Sequence, residues 1–183
     1  MFAKISNDFI DHTRDYMQFN SNIILDSYYS NKRKGGSSFI RLKDIETFWS
    51  YHVKDIFSIR PVVTLGVFTG SGLITPHVDG KNDTVSLNFY LEPNEDETVF
   101  YEKKDKDVKP YPNTNSYDVT QLYEIGRFKA NKFDTYLLDV QKIHGIQKSD
   151  NADRIFISYR WKFFSFNRIL KSLNTKKWLW TEL

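Results

Sequence analysis

Near residue 60 the chain changes its hydrophobic period, and that change limits what it can fold into. Upstream, Ile45, Phe48, Trp49, His52, Val53 and Ile56 recur at three- and four-residue spacing, the stripe of an amphipathic helix. Downstream the spacing becomes two. Segments 62–69, 73–78, 84–91, 98–102, 133–138, 142–147 and 154–164 are short, rich in Val, Ile, Phe, Tyr and Thr, and separated by Gly, Pro, Asn and Asp. Short strands with no helices between them predict an antiparallel sandwich or barrel. Residues 84–91 show the alternation openly. Val85, Leu87, Phe89 and Leu91 take one face, and Thr84, Ser86, Asn88 and Tyr90 take the other, so one face belongs to the core and the other looks into something polar.

At 183 residues the chain is about one domain in length, enough to bury a core without staples. We expect helical support over residues 1–59, a β core over 60–164 and a helical tail over 165–183. Ser6 is placed to cap a first helix carrying Phe9, Ile10, Thr13 and Met17, with Asp8, Asp11 and Asp15 suited to its N-terminal dipole. Residues 31–38 read as a basic, Gly/Ser-rich connection, too early to mark a domain boundary. Residues 103–123 break the strand pattern, which predicts a lid, a binding loop or a disordered segment. In the tail, Ile169, Leu170, Leu173, Trp178 and Trp180 predict a closing helix with an aromatic end.

Composition narrows the function classes. Charged residues make up 27% of the chain and apolar runs are short, which argues against a disordered chain and against spanning helices. No membrane association is expected. There is no cysteine, so a metal would be held by His and carboxylate groups, and a cytoplasmic location is expected. A net charge of +3 is too mild to single out nucleic acid as a partner.

The residues that carry chemistry are His77, Asp79, His144 and Arg154. In a strand, residues two apart point to one side, so His77 and Asp79 aim together while Val78 packs away. His144, on a later strand between Ile143 and Ile146, supplies a third ligand. Two imidazoles and one carboxylate form the ligand set of a facial non-haem Fe(II) site with open positions. Ten residues after His144 stands Arg154, which shares a strand face with Phe156, Ser158 and Arg160. A guanidinium there suits a bidentate grip on a dicarboxylate.

His77-x-Asp79, His144 and Arg154 resemble the signature of the 2-oxoglutarate and Fe(II)-dependent dioxygenases. Segments TPHVDG (residues 75–80) and IHGI (residues 143–146) are similar to the prolyl-hydroxylase-like branch. The match spans about residues 61–161. The resemblance implies a mainly β fold, a double-stranded β-helix (jelly-roll, cupin-like barrel) of eight strands with N-terminal helices on one sheet and a short C-terminal helix. It also implies Fe(II) on His77, Asp79 and His144, 2-oxoglutarate held by Arg154, and ascorbate as a reductant. Arg160 competes with Arg154 for the co-substrate. Ser158 departs from the family pattern, which often places a small hydroxyl residue where this chain has Phe156. Asn88, Tyr90 and Thr64, on polar strand faces, are further candidates for hydrogen bonds to 2-oxoglutarate. No catalytic residue is expected beyond the metal ligands. The reaction implied is oxidative decarboxylation of 2-oxoglutarate to succinate and carbon dioxide, coupled to hydroxylation of a C–H bond in a peptide or small-molecule substrate. The alternatives are a non-catalytic β-barrel binding module and a cupin-like metal enzyme that does not use 2-oxoglutarate.

Other histidines and acids have plainer readings. His52 lies on the apolar stripe of a helix, where a core or edge histidine is commoner than a ligand. His12 reads as solvated, and Asp139 as a turn residue closing a strand.

Overall fold

The structure, a computed structural model, describes residues 1–5, 25, 29, 38–41, 61–68, 73–80, 82–148 and 152–175. The helices expected over residues 6–19 and 45–56, His12, His52, and the tryptophans at 178 and 180 lie outside the described residues.

Among the described residues, ten strands form two antiparallel sheets. They are β1 (Phe2–Lys4), β2 (Ser38–Arg41), β3 (Val62–Phe68), β4 (Leu73–His77), β5 (Asp83–Glu92), β6 (Glu97–Lys103), β7 (Leu122–Lys129), β8 (Thr135–Asp139), β9 (Ile143–Gln147) and β10 (Arg154–Lys162). The large sheet runs β1-β8-β5-β10-β3-β2 and the small one β4-β9-β6-β7. Strands β3 to β10 make the eight-stranded double-stranded β-helix, and β1 and β2 extend the large sheet at its two edges. Both added strands depart from the sequence reading, as does β7. A bulge between Phe100 and Tyr101 shifts the β6–β7 register, and much of β7 is exposed along this sheet edge. Its period of two is therefore blurred.

The two faces of the large sheet do different work. On the outer face, Val63, Leu65, Val67, Val85, Leu87, Phe89, Leu137, Ile155, Ile157 and Trp161 join one apolar cluster. The C-terminal helix α1 (Phe166–Thr175) closes over it. Ser165 caps α1 by accepting from the Arg168 N–H, and Ile169 and Leu173, one turn apart, are buried in the cluster. Each fully buried side chain of this size contributes roughly 1.5–3 kcal/mol. The inner face faces the small sheet. Phe68, Tyr90, Phe100, Phe128, Tyr136, Leu138, Ile146 and Phe156 pack between the layers. Gly66 makes one wall of this space possible. A Cβ there would lie 2.5 Å from the Phe156 ring, which instead stacks beside Phe68 with centroids 5.5 Å apart. Toward one end of the sandwich the aromatic packing gives way to polar side chains.

Of residues 103–123, expected as a lid, a binding loop or a disordered segment, Lys103 ends β6, Leu122 and Tyr123 begin β7, and the stretch between them is ordered against the β4 terminus. The Tyr117 N–H donates to the Pro76 carbonyl at 2.7 Å and the Val78 N–H to the Asn115 carbonyl at 3.0 Å. A 3-10 turn, Val119–Gln121, capped by Asp118, leads into β7.

Candidate metal centre

His77 and His144 meet because β4 and β9 are neighbours in register. The two residues are direct partners across the ladder, and their rings lie 4.6 Å apart between centroids. The ladder is irregular between Ile74 and His77, where Pro76 has no N–H to offer. Gly145 lets the strands close at this point, since a Cβ there would meet the Ile74 carbonyl oxygen at 2.7 Å.

Each imidazole is oriented by the carbonyl two residues before it. Nδ1 of His77 is 2.9 Å from the Thr75 oxygen, and Nδ1 of His144 is 2.9 Å from the Lys142 oxygen. A carbonyl oxygen only accepts, so both Nδ1 atoms carry the proton and both Nε2 atoms face the centre. Fixing the tautomer from behind is how histidine ligands are commonly prepared for a metal.

Asp79 completes the group from just beyond β4. The strand ends at His77, so the expectation that one strand would hold both residues needs correcting. The chain stays aligned through the Val78 bond to Asn115 and through the Asp79 N–H, which donates to the Val140 carbonyl at 3.1 Å. Val78 turns away, as expected, and packs with the cluster of Val99, Tyr101, Tyr117, Leu122 and Ile143. Asp79 Oδ1 is 3.4 Å from His77 Nε2 and 3.8 Å from His144 Nε2. All three residues offer ligand atoms within 4.8 Å of one another. Asp79 Oδ2 instead lies 2.9 Å from Arg160 Nη2, an ion pair without the alignment of a hydrogen bond.

The electrostatics describe a place that attracts a cation. Burial pulls the His77 pKa down, but its bonds to Asp79 and to the Thr75 carbonyl outweigh this and raise it above the ordinary value. Burial pushes Asp79 up, and His77, Arg160 and His144 together hold it below the ordinary carboxylate value. His144 is lowered, chiefly by burial and against the pull of Asp79, so it is held neutral as a ligand must be.

A cavity of about 180 Å³ opens from this group into the sandwich. It has room for a small molecule, not merely a single water. His77, Asp79, His144, Asn88, Tyr90, Thr98, Arg154 and Arg160 line it with Ser86, and Phe68, Ile74, Leu138, Val140, Ile146 and Phe156 form its apolar walls. Arg154, 1% exposed, donates from Nη2 to the Thr98 hydroxyl at 2.8 Å. Its Cζ lies 4.9 Å from the centre of the Tyr90 ring. Its Nε and Nη1 have no hydrogen-bond partner. Two buried, charged N–H groups without acceptors are costly, and their presence beside a cavity marks where an acceptor belongs.

Most residues singled out from the sequence converge here. Asn88 and Tyr90 reach the cavity, whereas Ser158 and Thr64 do not line it. Ser158 is fully buried and shares a 2.8 Å hydrogen bond with Ser86. Thr64 pairs with Ser158 across β3 and β10. Thr98 and Ser86 were missed as candidates. The signal for Ser86 was present, because it shares the polar face of β5 with Asn88 and Tyr90. Thr98 carried none, since its importance comes from Arg154, 56 residues away. Asp139 closes β8 and accepts from the Lys142 N–H through its carbonyl, a turn residue as expected.

No family model matches the sequence, and no curated protein matches it significantly. Among solved structures, the chain is similar to HygX from Streptomyces hygroscopicus, with nickel and 2-oxoglutarate bound, at 11% identity and a TM-score of 0.50, covering 90% of this chain and 84% of that one. A 2OG-Fe(II) oxygenase family oxidoreductase from Burkholderia pseudomallei matches at 12% identity and a TM-score of 0.43, over 69% and 66% of the two chains. Vicilin from Capsicum annuum matches at 9% identity and a TM-score of 0.40, over 70% and 29%. The first likeness shows a shared fold.

Proposed function

We propose that this chain is an Fe(II)- and 2-oxoglutarate-dependent oxygenase that hydroxylates a C–H bond of a peptide or small-molecule substrate. The observation that carries this reading is the shared cavity. At one end stand two Nε2 atoms and one carboxylate oxygen, and at another a buried guanidinium with two unpartnered donors. A structural metal site would be closed and would need no neighbouring cation, whereas three protein ligands leave positions open.

His77, Asp79 and His144 would hold the metal. Bound there, Fe(II) and 2-oxoglutarate supply the redox chemistry, in which oxidative decarboxylation to succinate and carbon dioxide accompanies substrate hydroxylation. The protein supplies geometry. Thr75 and Lys142 carbonyls fix the imidazoles, and Arg154 turns a guanidinium with unmet donors toward the far carboxylate of the co-substrate, a charge-assisted contact. Thr98 and Tyr90 hold that guanidinium in place. The apolar walls exclude water and strengthen each polar contact. Arg160, already engaged with Asp79, is the weaker choice of anchor. The prolyl-hydroxylase-like segments 75–80 and 143–146 support that branch in particular.

Purified protein supplied with Fe(II), 2-oxoglutarate and ascorbate should form succinate through slow uncoupled turnover, and His77→Ala should abolish it. Iron-loaded protein that forms no succinate and binds no 2-oxoglutarate would refute the reading.

A further inference from the structure

The two oxygens of Asp79 have separate neighbours. Oδ1 faces His77 Nε2 and His144 Nε2 at 3.4 and 3.8 Å, while Oδ2 faces Arg160 Nη2 at 2.9 Å. Arg160 is itself held from behind. Its Nε donates toward Ser158 Oγ at 3.4 Å. Ser158 and Ser86 share a 2.8 Å hydrogen bond, and the Ser86 hydroxyl donates to Asn88 Oδ1 at 2.6 Å. Because the Ser86 proton is committed to Asn88, Ser158 must donate to Ser86, which leaves the Ser158 oxygen to accept from Arg160. The direction of the whole row is thereby fixed. Ser158 and Ser86 are 0% and 1% exposed, so water does not compete for it.

From this geometry we infer that Arg160 is a positioning residue that keeps Asp79 a one-oxygen ligand. The inference rests on the metal-site reading above and deepens it. A carboxylate free to rotate can offer both oxygens to a metal. With two imidazole nitrogens, a two-oxygen carboxylate would fill four of six positions and leave two, too few for a chelating co-substrate together with dioxygen. Holding Oδ2 on a guanidinium leaves Oδ1 alone for the metal and keeps three positions open. Arg160 thus protects the number of open positions, at the expense of metal affinity, because it withholds one oxygen and places a positive charge beside the ion.

That trade gives opposite signs for two measurements. Mn(II) is titrated calorimetrically into the protein, acetohydroxamate, a small chelator with no distal carboxylate, is added to saturation, and the water left on the metal is counted by water-proton relaxation. With Asp79 giving one oxygen, one of the three open positions still holds water, and with Asp79 giving two, none does. In Arg160→Met, Mn(II) should bind at least as tightly as in the parent, and the relaxation due to that water should be lost. Arg160→Lys, which keeps a cation near Oδ2, should restore it. Arg160→Gln repeats the test should the methionine variant fail to fold, with urea midpoints reporting integrity. If both neutral variants keep the parental relaxation, the inference fails. Loss of Mn(II) binding with the bound water intact at saturating metal also overturns it. Were 2-oxoglutarate binding weakened and the bound water kept, Arg160 would be an anion anchor instead. A parent protein that binds no Mn(II) defeats the metal-site reading itself, a result distinct from the others.

Discussion

Replacing Arg154 with Met separates a residue kept for ligand binding from one kept for stability. In the ligand-free protein the guanidinium is 1% exposed, and two of its nitrogens lack acceptors. Each unsatisfied buried donor costs about 1–3 kcal/mol. Against this stand a charged hydrogen bond to Thr98, about 1.5–3 kcal/mol, and the Tyr90 ring beneath the cation, about 2 kcal/mol when desolvated. The terms nearly cancel. Arg154→Met, similar in length and apolar, should therefore leave metal-free stability within about 1 kcal/mol of the parent, or raise it, as apolar replacement of buried charge often does. Binding should respond quite differently. At a 2-oxoglutarate concentration 100 times its Kd, the metal-loaded parent gains about 2.7 kcal/mol. Losing a charge-assisted contact of about 3 kcal/mol raises Kd about 100-fold, so the same concentration stabilises the variant by only about 0.4 kcal/mol. Urea unfolding with and without 2-oxoglutarate measures both numbers. A variant that loses 3 kcal/mol or more in the absence of ligand yet keeps the full ligand-induced gain would show that Arg154 is structural and refute the assignment.

Three further outcomes follow from other parts of the fold. Gly145→Ala places a Cβ 2.7 Å from the Ile74 carbonyl oxygen and 3.4 Å from Pro76, so β4 and β9 must part. We expect a loss of about 1–3 kcal/mol in urea unfolding and a larger proportional loss in Mn(II) affinity; unchanged metal affinity would mean that the two histidines are not set by this contact. Lys148 and Asp96, 1% and 0% exposed at the side chain, pair at 2.8 Å, and Lys148 also donates to the Ala152 carbonyl. Lys148→Met should cost about 3–5 kcal/mol by taking the ammonium from a buried carboxylate, with much of it recovered in Lys148→Met/Asp96→Asn; a single-variant cost under about 1 kcal/mol would contradict a dry pair. The His77 pKa is raised by folding, so its contribution to metal-free stability is complete below the unfolded histidine value of about 6.5 and is lost as pH rises through the folded value. The stability gap between parent and His77→Gln, from thermal unfolding in chelator, should thus narrow from pH 5.5 to pH 8.5, and a gap that widens would reverse the sign.

Some of this molecule is written locally. Period-two alternation exposed most strands, because a half-buried strand must alternate whatever its partners, and β5 divided its faces as Val85, Leu87 and Phe89 against Ser86, Asn88 and Tyr90 require. His77, Asp79, His144 and Arg154 were legible from residue type and spacing. Strands β1 and β7 were not. Three residues are too few to show a period, and along β7 exposure and a bulge erase it.

What only the tertiary structure decided is how separated residues face one another. The sequence offered two arginines on one strand face, and only the family resemblance preferred Arg154 to Arg160. Folding places Arg160 on Asp79 Oδ2 and buries Arg154 beside Thr98 with two donors unmet. The histidine tautomers differ in this respect, because the Thr75 and Lys142 carbonyls that set them stand only two residues before each ring. Periodicity is a property of neighbours along the chain. The number of open positions, the orientation of a carboxylate and the unmet donors of a buried cation are properties of strands brought together from 56 or more residues apart, and only packing fixes them.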